Sequence, residues 1–358
     1  MSATIFFYLI GGLVGLVMGG ELLVRGAAKI AAALGVSSLV IGLTVVALGT
    51  SAPELVVSLK ASLDGQSNLA MGNVVGSNIF NLLFILGACA AYAPLMVSSQ
   101  LVRLDVPVMI GGSILLYIFG LNGNLSGLEG LVLFSGLIIY TVFLIYKSRK
   151  ETRSENDRPA PIGAGGLLLN IFFILLGLSC LILGGDWFVT GAIATATALG
   201  VSETIIGLTV VAAGTSLPEV VTSLVATIKG ERDMAIGNVV GSNIYNLLAI
   251  LGISSLVTPD GLNVAPELFS FDLPIMLGAS IACFPIFLAG FRINRWEGVM
   301  FLLTYVIYTG FLVLDASNHA YFTHYRLSVI YIVAPILLIT IAVISYQAFW
   351  TVRKSRRD

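Results

Sequence analysis

Thirteen residues, GLTVVALGTSAPE at Gly42–Glu54, are written a second time as GLTVVAAGTSLPE at Gly207–Glu219, and only Leu48/Ala213 and Ala52/Leu217 differ. A second shared segment follows each copy at the same distance. It reads GNVVGSNIFNLL at Gly72–Leu83 and GNVVGSNIYNLL at Gly237–Leu248, so the offset of 165 residues is held. Each copy sets a carboxylate, Glu54 or Glu219, into a stretch that is otherwise apolar, where a charge is costly. A chain that places the same costly residue twice in the same setting is constrained to two like halves with a shared use for it.

The rest of the chain says what surrounds those halves. It is 57% hydrophobic and 10% charged, with mean hydropathy +1.00, against about 25% charged for a soluble domain. Apolar runs along its whole length place it in a bilayer. A formal net charge of −1 with no basic stripe gives no sign of a nucleic-acid partner. Cys89, Cys180 and Cys283 lie in apolar segments without CxxC spacing, so neither a disulfide nor a thiolate metal site is expected. The opening MSATIFFYLIGG lacks a basic n-region and is read as a retained first span.

Hydropathy gives spans near 4–33, 38–63, 68–93, 104–121 and 126–146, then 165–198, 203–228, 233–257, 268–290 and 296–314, with an eleventh at Leu327–Val352 that Pro335 is expected to kink. The expected organisation is a first membrane repeat over 1–146, a cytoplasmic linker over 147–163, a second repeat over 164–316, and over 317–358 an extra helix with a basic tail. The linker, KSRKETRSENDRPAPIG, is too short for a folded regulatory domain.

The halves match beyond the motifs. Gly19-Gly20-Glu21 corresponds to Gly184-Gly185-Asp186, Asp105-Val-Pro107 to Asp272-Leu-Pro274, and Leu128-Glu129-Gly130 to Trp296-Glu297-Gly298. Five spans is an odd number, so the second copy enters the membrane from the opposite face, as an inverted repeat. With the N-terminus outside, 16 of the 18 Lys and Arg residues fall on the inner side and only Lys60 and Arg326 on the outer. The positive-inside rule therefore reads the chain as N-out and C-in.

Helix geometry sets Ala47, Thr50 and Glu54 on one face. Pro53 lacks an N–H and Gly49 weakens the helix, so a break near mid-membrane is expected there, and at Ala212, Thr215, Ser216, Pro218 and Glu219 in the second copy. Non-helical backbone at that depth is tolerated where it lines a cavity or is buried in protein. Asn73, Ser77 and Asn81 share a face of the next span, matched by Asn238, Ser242 and Asn246. Gly72/Gly76 and Gly237/Gly241 are GxxxG pairs, suited to close helix approach. Singly, Thr50 or Ser77 reads as a packing residue, and Asn73 or Asn238 as a cross-helix hydrogen bonder. Glu54 and Glu219 resist such a reading, because no Lys or Arg lies in either motif to pair with them. The shared chemistry is oxygen only, which suits hard cations such as Ca²⁺, Mg²⁺ or Na⁺ rather than zinc or copper. Glu21 has Arg25 one turn away and is read as structural, as is Asp186; His319 and His324 are assigned to an external loop.

The paired GTSAPE/GNVVGSN and GTSLPE/GNVVGSN segments resemble the repeats of the cation/calcium exchanger superfamily, particularly its prokaryotic sodium/calcium exchanger branch. The resemblance spans the first ten helices. It implies an all-α polytopic membrane protein in the prokaryotic inner membrane, with two inverted five-helix halves, a core bundle and a mobile helix pair. It implies a secondary antiporter and not an enzyme, with no cofactor, moving Ca²⁺ against Na⁺ or H⁺. Carried over by position, Glu54, Glu219, Thr50 and Thr215 would hold Ca²⁺. Ser51, Ser216, Ser77 and Ser242, with the carbonyls of Ala47 and Ala212, would complete the Na⁺ sites, and Asn81 and Asn246 would border the centre. Two features depart from the family pattern: some exchangers carry Asp where this chain has Asn246, and the eleventh span lies outside the ten-helix core.

Two carboxylates give an empty site of about −2, neutralised by one Ca²⁺ or two monovalent ions. Two acids sharing a site oppose each other's ionisation, so a proton is an alternative counter-ion. A passive channel would use the same ligands without needing a counter-gradient. An intramembrane protease would need a dyad that is missing, since no GxGD is present and the motif acids are Glu.

Overall fold

A hydrocarbon surround forces every backbone N–H and C=O to find a partner within the chain, and apolar segments of this length meet that demand as helices. The computed structural model describes residues 3–154, 164–200, 212–317 and 319–355. The expected start of the seventh span at 203–211, most of the linker, and Arg356 and Arg357 of the tail lie outside the described residues.

The first half comprises α1 (Ala3–Leu34), α2 (Ser38–Thr50) and α3 (Ala52–Leu63), α4 (Ser67–Tyr92), α5 (Leu101–Asn122) and α6 (Gly127–Ser154). The second comprises α7 (Ala164–Ala198), the short α8 (Ala212–Gly214) with α9 (Leu217–Ile228), α10 (Arg232–Val257), α11 (Leu268–Leu288) and α12 (Arg295–Ala316). The last span, α13 (Phe322–Ala348), begins earlier than hydropathy suggested and takes in His324, which lies in a helix rather than a loop. At the other boundary α6 runs on through Ser154, because Lys, Arg and Glu sustain a helix as it leaves the apolar layer. Among the described residues nine helices are long and apolar enough to cross a membrane, and the α2–α3 pair makes a tenth.

Burial separates centre from rim. Within its most apolar stretch 89% of α10 is buried, and 78% of α4, against 6% for α12 and α13. The repeated motifs thus sit on the two most enclosed spans and on the broken spans beside them. Rim helices expose large apolar side chains such as Ile139, Leu338 and Tyr331, a surface suited to lipid. On that rim, the Tyr325 hydroxyl of α13 donates to the Ile307 carbonyl of α12 at 2.8 Å.

The two-fold relation is written into the contacts. Where α1 crosses α7, a Cβ on Gly12 would lie 2.7 Å from the Gly184 carbonyl oxygen, and one on Gly177 would lie 2.8 Å from that of Gly19. These are the same contact made twice, since Gly12 matches Gly177 and Gly19 matches Gly184. Tyr140 donates to Asp105 at 2.9 Å and Tyr308 to Asp272 at 2.7 Å, which ties α6 to α5 and α12 to α11. The Glu129 and Glu297 carboxylates each accept the backbone N–H three residues upstream, closing the N-termini of α6 and α12.

Two strand pairs join the loops. β1 (Leu95–Met96) pairs antiparallel with β4 (Arg292–Ile293), and β2 (Asn124–Leu125) with β3 (Leu262–Asn263). Each pair unites loops that the inverted topology places on one face of the membrane. Three π turns, Leu101–Asp105, Leu268–Asp272 and Val329–Val333, lie just upstream of Pro107, Pro274 and Pro335. They absorb the hydrogen bond that proline cannot make, and Pro335 is accommodated in this way within a continuous α13.

Buried apolar side chains fall into two clusters. The larger joins α4, α5, α6, α10, α11 and α12 with much of α2, whereas the smaller is built mainly on α1 and α7 with Ile41, Val46, Ala226, Met234 and Ala235. The crossing pair is therefore a body packed against the bundle rather than part of it. Because its glycines meet backbone, Gly184→Val should lower stability by about 1–3 kcal/mol or more, read as a fall in melting temperature in detergent. Gly136→Val, where nothing described lies within 4 Å of the added carbon, should leave it within a few degrees.

Candidate functional site

The site begins with a failure of helix. α2 carries a π turn at Gly42–Val46, stops at Ser51, and restarts as α3 with a 46° bend. Pro53 therefore stands in the first turn of α3, where its missing N–H costs nothing, and Glu54 stands beside it. Leu217–Ile228 repeats this with Ser216 ahead of it and Pro218 and Glu219 in its first turn. Each carboxylate thus sits at a helix N-terminus, whose unpaired N–H groups and dipole favour an anion. Both glutamates are 0% exposed.

The two halves interlock through them. Ser51 donates across to Glu219 Oε1 at 2.9 Å, and Ser216 donates across to Glu54 Oε1 at 2.9 Å. The serine three residues before each glutamate therefore serves the glutamate of the opposite repeat. Ser77 binds the same region: its hydroxyl is 3.3 Å from Glu54 Oε1, 2.8 Å from Ser216 Oγ and 3.3 Å from Asn246 Nδ2.

Thr50 and Thr215 also reach across to the opposite repeat. Thr50 Oγ1 donates to Asn238 Oδ1 at 3.1 Å, and Thr215 Oγ1 to Asn73 Oδ1 at 3.4 Å. The amide nitrogens of those asparagines go to Ser223 and Ser58, each at 2.9 Å. These are two copies of one cross-repeat clamp, Thr–Asn–Ser, that fixes each helix break against the opposite half. The Ala47 carbonyl accepts the Ser51 N–H at 3.0 Å and lies 3.4 Å from Thr50 Oγ1. Ala212 lies in the helical turn that precedes the second break.

Asn81 and Asn246 are fully buried, and each lies in a π turn, Phe80–Ile85 and Asn246–Ile250. A π turn adds a residue to one helical turn and so re-aims the side chains it holds. Neither Asn81 Oδ1 nor Asn81 Nδ2 has a hydrogen-bond partner, and the same is true of Asn246 Oδ1, Ser242 Oγ, Glu54 Oε2 and Glu219 Oε2. With Asn243 Oδ1, seven of the ten such buried atoms among the described residues come from the repeated motifs. Each unpaired buried polar atom costs about 1–3 kcal/mol, and charged ones more. Their concentration here marks a place built to be completed by something else. Nearly all are oxygens, a donor set that suits a hard cation. Among the described residues no three of His, Cys, Asp and Glu converge, so the charge of the site is that of its two glutamates.

Four residues here escaped sequence reasoning: Ser58, Ser223, Asn78 and Asn243. A signal was present, because Ser58 and Ser223 each follow the motif glutamate by four residues, and both asparagines lie inside GNVVGSN.

The two approaches to the site are not alike. A cavity of about 410 Å³ lies between Pro53, Val56, Gly185, Asp186, Thr215 and Pro218, among others, on the side toward which α3 runs. The corresponding space at the other face is filled. There a Cβ on Gly20, the counterpart of Gly185, would lie 3.0 Å from Val221 of α9. Glu21, the counterpart of Asp186, takes Lys229 Nζ at 2.8 Å and Arg25 Nη2 at 2.9 Å.

Comparison with known proteins bears on this arrangement. The family model described as sodium/calcium exchanger protein matches residues 4–146 and 169–314. The sodium/calcium exchanger MaX1 of Methanosarcina acetivorans is 36% identical over 345 residues, covering 86% of this chain and 98% of that one. The inner membrane protein YrbG of Escherichia coli is 36% identical over 282 residues, covering 76% and 85%. Among solved structures, the sodium-calcium exchanger NCX_Mj soaked with zero Na⁺ and Ca²⁺ superposes with a TM-score of 0.74 at 32% identity, covering 86% of this chain and 98% of that one.

Proposed function

Because this chain belongs to the sodium/calcium exchanger protein family, we propose that it is a secondary antiporter that exchanges Ca²⁺ for Na⁺ by alternating access around Glu54 and Glu219. The observation that carries this reading is the reciprocal pair Ser51–Glu219 and Ser216–Glu54, which makes one oxygen site from two oppositely oriented repeats. Glu54, Glu219, Asn81, Asn246, Ser242, Ser77, Ser51 and Ser216 supply its side-chain oxygens, and carbonyls at the two breaks, those of Ala47 and Ala212, supply the rest. Thr50 and Thr215 contribute through these breaks, which their hydroxyls brace. The repeats over 1–146 and 164–316 are the working halves, and the chain sits in a prokaryotic inner membrane with its N-terminus outside.

Exchange follows from charge and geometry. Two glutamates neutralise one Ca²⁺ or two Na⁺, and the ligands are shared, so the two occupants exclude each other. With Asn rather than an acid at both central positions, the cycle is close to electroneutral. A pH gradient in place of the Na⁺ gradient tests the proton as the counter-ion.

The cavity on one side supports an outward-facing resting state. On the N-out topology the cavity opens outward, while Gly20–Val221 packing and the Glu21–Lys229 pair close the inner approach. The outer equivalents of Lys229 and Glu21 are Asp64 and Asp186, two acids that cannot latch. α1 and α7, packed as a separate cluster, are the moving pair.

Three outcomes are expected. In proteoliposomes an outward Na⁺ gradient should drive Ca²⁺ uptake, with Glu54→Gln and Glu219→Gln each reducing it to background; full uptake in either variant would exclude a shared site. Uptake rate should change less than about twofold across an imposed 100 mV potential, whereas movement of one net charge would be biased by about 2.3 kcal/mol. Finally, a cysteine at Val225, in a chain otherwise free of cysteine, should react faster with an impermeant maleimide from the inner side once Lys229→Ala is introduced. Equal rates would reject the latch.

A further inference from the structure

We infer that Asn78 sets the Ca²⁺ affinity of the site by fixing which end of the Asn246 carboxamide faces inward. This rests on the proposed Ca²⁺/Na⁺ exchange. A carboxamide can turn either its oxygen or its NH₂ toward a cation, and the two choices differ in sign. For Asn246 the choice is made by a chain of groups that starts from a backbone carbonyl.

That carbonyl belongs to Asn243, and a backbone carbonyl can only accept. Asn78 Nδ2 lies 3.5 Å from it and 3.7 Å from Met276 Sδ, a second acceptor. With its nitrogen held on that side, Asn78 turns its Oδ1 to Asn246, whose Nδ2 donates to it at 3.0 Å. Ser77 Oγ, at 3.3 Å from the same nitrogen, favours the same orientation. Asn246 Oδ1 is therefore left pointing away from both, buried and without a partner. Turning the relay around would set Asn78 Oδ1 against the Asn243 carbonyl oxygen and present NH₂ to the site.

The matching relay in the other half is absent. Asn243, the counterpart of Asn78, spends its Nδ2 on the Val239 carbonyl of its own helix at 2.8 Å. Asn243 Oδ1 and both polar atoms of Asn81, the counterpart of Asn246, have no partner. One central amide is thus pre-set with its oxygen inward while the other is free to turn. This matters most in a chain with Asn at position 246, because a carboxylate presents oxygen whichever way it is turned.

The test is the half-saturating Ca²⁺ concentration for Na⁺-driven uptake in proteoliposomes, with equilibrium ⁴⁵Ca²⁺ binding to the detergent-purified protein as a second reading. Asn78→Leu, which keeps volume, and Asn78→Ala both delete the acceptor. Each should raise half-saturation about tenfold, the scale on which outer residues tune metal ligands, with maximal rate and ion-free melting temperature little changed. In an Asn246→Ala background Asn78→Leu should add less than about twofold, since its effect acts through Asn246. Unchanged affinity in a folded Asn78→Leu or Asn78→Ala protein would overturn the inference, and so would an equal loss in the Asn246→Ala background. If the wild type transports and binds Ca²⁺ while these variants behave like it, only the relay fails. A wild type that neither binds nor moves Ca²⁺ removes the proposed function and the relay with it.

Discussion

Two fully buried carboxylates, each hydrogen-bonded by a serine from the opposite repeat, are the condition on which the rest of this structure depends. Each half takes the shortest hydrogen bond to its glutamate from the other, since Ser51 serves Glu219 and Ser216 serves Glu54, both at 2.9 Å. Folding one repeat alone would leave an ionised acid in an apolar interior, which is severely unfavourable. The helix breaks, the Thr–Asn–Ser clamps and the inverted arrangement of the halves all bring those four groups together. Placing each glutamate in the first turn of a helix adds orphan N–H groups to its surroundings, so the scaffold tolerates the charge without neutralising it.

Symmetry and its loss divide the molecule by function. The clamp contacts, the glycine crossings of α1 with α7, and the Asp–Tyr ties of the outer helices occur twice with nearly equal geometry. The departures lie where movement or selection is needed: at the two approaches to the site and at the central amides. Gly20 is packed while Gly185 borders a cavity, and Glu21 is paired while Asp186 lines open space. An inverted-repeat carrier reverses its access when its halves exchange such local arrangements.

Much of this was legible in the residues. Apart from the seventh span, whose start is not described, periodicity and hydropathy placed the spans to within a few residues, and Pro53 and Gly49 foretold the break at Ser51. What escaped shares one cause. Asn78 and Ser58 act through groups on other helices, so their meaning depends on inter-helix register, which no local pattern encodes. Thr50 and Thr215 share the glutamate face, but no local pattern said that their hydroxyls also bridge to Asn238 and Asn73 of the opposite repeat. A shared face places a residue near a site but does not say which of its neighbours wins the hydrogen bond. The asymmetry of access was half visible: Lys229 against Asp64 is a difference in sequence, but its consequence needs Glu21 within reach.

The same unpaired oxygens that mark the site also explain why it would exchange rather than leak. Passing from one access state to the other encloses the site away from water. If it is empty, an uncompensated buried charge costs about 3–5 kcal/mol, and two glutamates and several amide oxygens would bear that cost together. Even the lower figure slows the empty transition by roughly two powers of ten, because each 1.36 kcal/mol is a factor of ten in rate. A bound Ca²⁺, or two Na⁺, removes the penalty by supplying what Glu54 Oε2, Glu219 Oε2 and Asn246 Oδ1 lack. Coupling therefore needs no dedicated gate for the empty carrier: the burial that makes Glu54 and Glu219 costly is itself what forbids an unloaded return.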